Sequence, residues 1–142
     1  MKNMQILLDT NVLIDYLMAR EPFKASAEYI LNACIANEIE GCIAAHSISN
    51  LFYILRKSYT VDERRDMLSV LCKILPVAGI DDAMIQRALQ NKAFDDFEDC
   101  LQMECAISVK AQFIITRNLA DFKYSTITAI SPDEFVSKYM RK

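Results

Sequence analysis

The chain has 142 residues, is 53% hydrophobic and carries a formal net charge of -3, with only two glycines and three prolines. That describes one globular domain, residues 1–142, large enough to bury a single core, and it excludes disorder and repeat arrays. Negative charge excludes nonspecific wrapping of a long duplex, because that affinity comes from counterions released at a cationic face. No apolar run nears the roughly 20 residues of a membrane span, no signal-peptide pattern opens the chain, and a cytoplasmic protein without membrane contact is expected.

Gln5 to Tyr16 reads Q-I-L-L-D-T-N-V-L-I-D-Y. The unbroken run Ile6-Leu7-Leu8 suits a strand buried on both faces, as in a parallel sheet. Asp9 then stands at its carboxyl end, where open α/β sheets place the ligand crevice. Thr10 or Asn11 can cap the helix Val12–Met18, and the residue before Pro22 stops it. Ala27, Ile30, Leu31, Cys34 and Ile35 mark one face of a helix over Phe23–Asn37, with a turn at Glu38–Gly41. Cys42–Ala45 is a second strand ending at His46-Ser47. Ser47 or Ser49 begins the next helix, whose stripe is Ile48, Leu51, Phe52 and Leu55. Tyr53 and Tyr59 are read with that core stripe, and Asn50 lies one residue before Leu51.

Thr60 and Glu63 form a capping box for a helix reaching Ile74. Pro76–Ile80 reads as a short strand, and Asp81 opens a helix burying Met84, Ile85, Ala88 and Leu89. In Asp95-Asp96-Phe97-Glu98-Asp99, carboxylates crowd the first turn of a helix running to about Ala111. Anions favour that end by roughly 0.3–1 kcal/mol each, but packing several together costs repulsion that a cation would offset. Phe113–Thr116 repeats the opening grammar and leads into Arg117-Asn118-Leu119-Ala120-Asp121. A last strand over Ile127–Ile130 and a helix over Asp133–Tyr139, capped by Ser131, complete the chain. Strands alternating with helices give an α/β sandwich around a mostly parallel sheet of four or five strands.

The chemistry is bounded by residue type. Two glycines exclude a glycine-rich nucleotide loop. A single histidine, His46, excludes multi-histidine metal sites, and no G-x-S-x-G elbow supports a serine hydrolase. Asn11 stands where an aspartyl phosphotransferase commonly needs a second aspartate. Five cysteines without a C-x-x-C pair read as buried free thiols. Asp9, the Asp96–Asp99 cluster, Asp121 and Asn50 would meet along one sheet edge. Oxygen donors without histidine or thiolate select a hard cation, Mg²⁺ or Mn²⁺.

The segments I-L-L-D-T-N-V-L-I-D, D-F-E-D-C-L-Q, F-I-I-T-R-N-L-A-D-F and S-P-D-E-F together resemble a PIN domain, particularly the small stand-alone bacterial kind that includes VapC-like toxins. The resemblance spans residue 5 to about residue 139. It implies a Rossmann-like three-layer α/β/α sandwich with a five-stranded parallel sheet, Mg²⁺ or Mn²⁺ dependence and cleavage of single-stranded RNA. Asp9 would be the first metal-binding carboxylate, Asp99 the third with Asp96 or Glu98 assisting, and Asp121 the fourth. Asn118 would be a further oxygen ligand, with Thr10, Asn11 and Thr116 as polar supports.

The chain departs from the family at Asn50, where Glu or Asp is usual. An amide adds no negative charge and cannot act as a general base. The alternative reading is therefore a catalytically weak or inactive PIN-like module that binds protein or RNA. Arg117 is the expected phosphate contact, since it sits beside the site and could pair bidentately. Arg56, Lys57, Arg64 and Arg65 could add a basic rim. The family also implies a homodimer and, for toxins, a cognate antitoxin.

Overall fold

Ile6, Leu7 and Leu8 are each 0% exposed because helices cover both faces of the strand that carries them. The computed structural model describes residues 3–140. Within them, β1 (Gln5–Leu8), β2 (Glu40–Ala44), β3 (Val77–Ala78), β4 (Phe113–Ile115) and β5 (Thr128–Ile130) form one sheet, ordered β3-β2-β1-β4-β5. Every pairing is parallel. The helices are α1 (Thr10–Leu17), α2 (Lys24–Ile35), α3 (Ala45–Ile54), α4 (Val61–Ile74), α5 (Asp82–Gln90), α6 (Phe97–Ser108) and α7 (Pro132–Phe135).

Strand side chains alternate between two cores, as the pleat requires. Ile6, Leu8, Ile43 and Ile115 face α1 to α4 and α7. Leu7, Cys42, Ala44 and Ile114 face α5 and α6. Each fully buried Leu or Ile contributes roughly 1.5–3 kcal/mol, so the three apolar side chains of β1 anchor both layers. This is the expected α/β/α sandwich, with five strands. None of the described helices is long and apolar enough to cross a membrane. Cys34, Cys42, Cys100 and Cys105 are buried free thiols, and burial pushes Cys34 up to about 11 and Cys42 up to about 12.

Caps fall where their chemistry predicts at three helices, one of them α5, where Asp81 Oδ1 accepts from Met84 N–H at 2.9 Å. Thr60 N–H donates to Glu63 Oε1 at 2.8 Å while Glu63 N–H donates to Thr60 Oγ1 at 3.1 Å. Ser131 Oγ accepts from Glu134 N–H at 3.2 Å, with Pro132 at the first helical position. Elsewhere the elements shift. Asn37, at φ 59°, reverses the chain so early that Glu40 and Gly41 already pair with Gln5 and Ile6; the expected turn at Glu38–Gly41 is half strand. Helix α3 follows β2 without a loop and starts at Ala45, because Ser47 spends its hydroxyl inside the protein and does not cap. On α5, Met84 and Ala88 are buried as expected, but Ile85 is 36% and Leu89 62% exposed. The expected strand Pro76–Ile80 contracts to Val77–Ala78, and the final helix passes into a π turn over Val136–Met140.

Gly41 lets β2 approach its neighbours closely: a Cβ there would stand 2.8 Å from Cys34 Sγ and 2.8 Å from Leu75 Cδ2. Gly41→Ala should lower the unfolding free energy by about 1–3 kcal/mol through overpacking. Gly79, where an added Cβ meets nothing within 4 Å, should tolerate Ala within about 0.5 kcal/mol. Urea unfolding of the two variants checks this; equal midpoints would contradict it.

Candidate active site

The strand order reverses beside β1, so the crevice beyond the carboxyl ends of β1 and its neighbours is the topological place for a ligand. Asp9 leaves β1 there and is 5% exposed. Its Oδ1 accepts from Thr10 N–H at 2.8 Å, and its Oδ2 accepts from Thr116 Oγ1 at 2.8 Å and Asn11 Nδ2 at 3.1 Å. Asp9 is itself the N-cap of α1, which frees Thr10 and Asn11 from the capping role expected of them. Thr10 Oγ1 instead lies 2.9 Å from Ser47 Oγ. Burial pushes the Asp9 carboxyl above its ordinary pKa; hydrogen bonds from Thr116 and Thr10 pull it back, and the charges of Asp121 and Asp96 push it up again.

The start of α6 supplies the second acidic group. Asp96 caps the helix, its Oδ1 accepting from Asp99 N–H at 3.1 Å. The half-buried Asp99 carboxyl is pushed up to about 7, by burial first and then by Asp96, Asp9, Asp121 and Glu98. Glu98 Oε2 accepts from Asn50 Nδ2 at 3.2 Å. Its carbonyl lies 3.0 Å from His46 Nε2, and burial holds the imidazole below its ordinary pKa. One turn beyond Asp99, Gln102 Nε2 donates to Ser47 Oγ at 2.7 Å. Gln102 Oε1 is buried and has no hydrogen-bond partner among the described residues.

The loop after β4 closes the third side. Thr116 Oγ1 accepts from Asn118 N–H at 3.0 Å, and Asn11 Oδ1 accepts from Arg117 N–H at 3.2 Å. The Arg117 guanidinium, expected to meet a phosphate, is engaged elsewhere. Its Nε donates to Asp15 Oδ2 at 2.7 Å and its Nη2 to Asp15 Oδ1 at 3.3 Å, and the group stacks 4.0 Å from the Phe23 ring centroid. Asp15 is 0% exposed, so an aspartate inside the apolar run of α1 had to draw a cation to itself. Asp121 lies exposed in a 3₁₀ turn over Leu119–Phe122, near enough for its charge to raise both Asp9 and Asp99.

A cleft of about 640 Å³ gathers Asp9, Thr10, Asn11, Asn50, Glu98, Asp99 and Asn118 of the expected residues. Thr116 is buried behind Asp9, while Asp96 and Asp121 act on the cleft through their charge without lining it. Gln102, Arg20 and Tyr53 line it too, and sequence reasoning did not place them there. The signals were modest: Gln102 follows Asp99 by three positions and Tyr53 follows Asn50 by three, so each pair shares a helix face. Leu51 and Leu55 are core as expected, but Tyr53 is 62% exposed. The basic rim is partly spoken for, since the Arg64 guanidinium sits over the Phe52 ring and Arg64 Nη1 donates to the Phe52 carbonyl.

The donor set is oxygen throughout, which suits Mg²⁺ or Mn²⁺ held by Asp9 and Asp99 with Glu98 or Asn118. Among the described residues no three Asp, Glu, His or Cys side chains stand close enough to cage an ion unaided. Mg²⁺ tolerates that arrangement, because it keeps several waters when held by one or two carboxylates. The raised pKa of Asp99 comes from burial first and then from the repulsion of its neighbours, and such a cation would relieve the repulsion.

Arg117→Met would leave Asp15 buried beside only Arg20, whose Nε is 3.9 Å from Asp15 Oδ1. It should cost about 3 kcal/mol, whereas the double change Asp15→Leu, Arg117→Met should recover most of that loss. Equal losses in the single and double variants, read by denaturant unfolding, would contradict the pairing.

Comparison with known proteins places this geometry. A sequence profile of the PIN domain matches residues 5–120. Comparison with curated protein sequences finds no match. The fold is similar to a toxin–antitoxin complex from Klebsiella pneumoniae, at 21% identity and TM-score 0.68, covering 89% of this chain and 97% of that one. It is also similar to DNA-bound VapBC from Salmonella typhimurium, at 18% identity and TM-score 0.69, covering 91% and 98%. A third likeness is VapC20 from Mycobacterium tuberculosis, a toxin that cleaves the sarcin–ricin loop, at 12% identity and TM-score 0.68, covering 87% and 96%. At these identities the structures establish the fold, and the profile establishes the family: the chain belongs to the PIN domain family.

Proposed function

We propose that the protein is a metal-dependent endoribonuclease hydrolysing phosphodiester bonds of single-stranded RNA, and that it is the toxin of a toxin–antitoxin pair. The observation that carries this reading is the convergence of Asp9, Asp96, Asp99 and Asp121 at the carboxyl edge of the parallel sheet, close enough that the charges of Asp96 and Asp121 help raise the carboxyls of Asp9 and Asp99. Bound Mg²⁺ or Mn²⁺ would polarise a phosphodiester oxygen and lower the pKa of a water, the two actions hydrolysis needs.

The chain's own residues do the positioning. Thr10, Asn11 and Thr116 hold Asp9 in one orientation through three hydrogen bonds, so its carboxylate meets a ligand without reorganising. Asn50 adds no charge, but its amide holds the Glu98 carboxylate beside Asp99 within the same cleft. The acidic count lost at Asn50 is thus partly restored by the residue it orients. A toxin role draws support from the structural neighbours, several of which are toxin–antitoxin complexes. A homodimer, the other partnership implied by the family, has the exposed apolar side chains Ile85 and Leu89 of α5 as physical support.

Asn50 also favours a second reading, a PIN-like binding module with weak or lost chemistry. Cleavage of a labelled single-stranded RNA separates the two. Cleavage should require Mg²⁺ or Mn²⁺, stop with EDTA and fall at least about 100-fold in Asp9→Asn, the scale of losing one preorganised charge contact. Folded protein that neither cleaves RNA nor binds either cation in calorimetry would establish the binding module instead.

A further inference from the structure

The cleft is lined by Asp9, Glu98 and Asp99, yet a polyanion must enter it. Among the described residues, Arg20 is the one basic side chain lining it. Arg20 follows α1, its side chain is 49% exposed, and its 3.9 Å approach to Asp15 Oδ1 is an ion-pair distance beyond hydrogen-bond reach. Asp15 is already satisfied by two hydrogen bonds from Arg117. One carboxylate therefore faces two guanidiniums, and the surplus positive charge falls on Arg20 at the cleft.

The lining from α3 carries the complementary feature. Tyr53 is 62% exposed there. Its ring is braced by the Arg56 guanidinium, 3.6 Å from the ring centroid, while Arg56 Nη1 donates to the Tyr53 carbonyl at 2.9 Å. Asn50 lies three residues earlier on the same helix face and lines the cleft with it, so the ring stands about one turn from the amide that orients Glu98. An exposed aromatic held by a stacked cation offers a base a surface that loses little freedom on binding.

We propose that Tyr53 and Arg20 form a nucleotide subsite of the cleft, Tyr53 stacking on a base and Arg20 contacting a backbone phosphate of the same single strand. The subsite deepens the nuclease reading and rests on single-stranded RNA as the substrate. Stacking tolerates any base, so the subsite confers strand binding with little sequence preference. Arg20 thereby takes the phosphate role that the sequence suggested for Arg117.

The test is binding of a labelled oligouridine to the full chain by fluorescence anisotropy, with Ca²⁺ replacing Mg²⁺ and gels confirming an intact strand. Tyr53→Ala should weaken binding about 5- to 150-fold, and Tyr53→Phe should stay within about twofold of wild type. Arg20→Ala should reduce the slope of log K against log salt by roughly 0.7, the share of one single-strand phosphate. Unchanged affinity in folded Tyr53→Ala, an unchanged salt slope in Arg20→Ala, or no binding by wild type would each overturn the subsite. RNA bound through Tyr53 but never cut with Mg²⁺ would sink the nuclease reading and leave the subsite standing. RNA cut normally by Tyr53→Ala with unchanged affinity would do the reverse.

Discussion

Because Leu8 pairs with Ile115 in the parallel ladder, the next residue of each strand, Asp9 and Thr116, leaves the sheet beside the other. The Thr116 hydroxyl then donates to Asp9 Oδ2 at 2.8 Å with both groups almost fully buried. A slip of one residue in that register would turn every side chain of β1 to the opposite layer, so the two apolar cores enforce the contact. Asn11 and Asn118 attach to the same two residues, and Arg117 and Asp15 brace the loop from behind. The site is thus an extension of the sheet's pairing, and its geometry is secured by the hydrophobic burial of β1 and β4.

Concentrating carboxylates is costly, and the fold limits the cost in three ways. Asp96, Glu98 and Asp99 sit at the amino end of α6, where the helix dipole and free amides favour negative charge. Asn50 places a neutral donor against Glu98 where a further carboxylate would add repulsion. Asp121 is exposed, so water screens part of its effect. What remains adds to burial, the larger cause, in pushing the Asp99 carboxyl up to about 7. A bound divalent cation would relieve that residual repulsion.

Much of this was legible from residue patterns. Continuous apolar runs at Ile6–Leu8 and Phe113–Ile115 suit strands buried on both faces, as in a parallel sheet, and the polar residue ending each run stood where such a sheet places its ligand crevice. Caps at Thr60 and Ser131 followed from local chemistry alone. Features set by side-chain direction were hidden. Arg117 looks free in sequence because its partner, Asp15, lies three strands and five helices away along the chain. Tyr53 sits beside core residues, and only the angle of α3 decides that its ring faces the cleft. Gly41 gave no hint of belonging to β2, since a glycine that follows a charged residue also reads as a turn.

The claim that the cleft is built around a divalent cation is tested most directly by following the Asp99 carboxyl through a pH titration by carbon-13 NMR, with and without Mg²⁺. The account predicts a midpoint of about 7 in metal-free protein. Saturating Mg²⁺ should move it down toward the usual carboxylate range, because the cation offsets the neighbouring charges. A midpoint in the usual range without metal, or one that Mg²⁺ leaves in place, would contradict it.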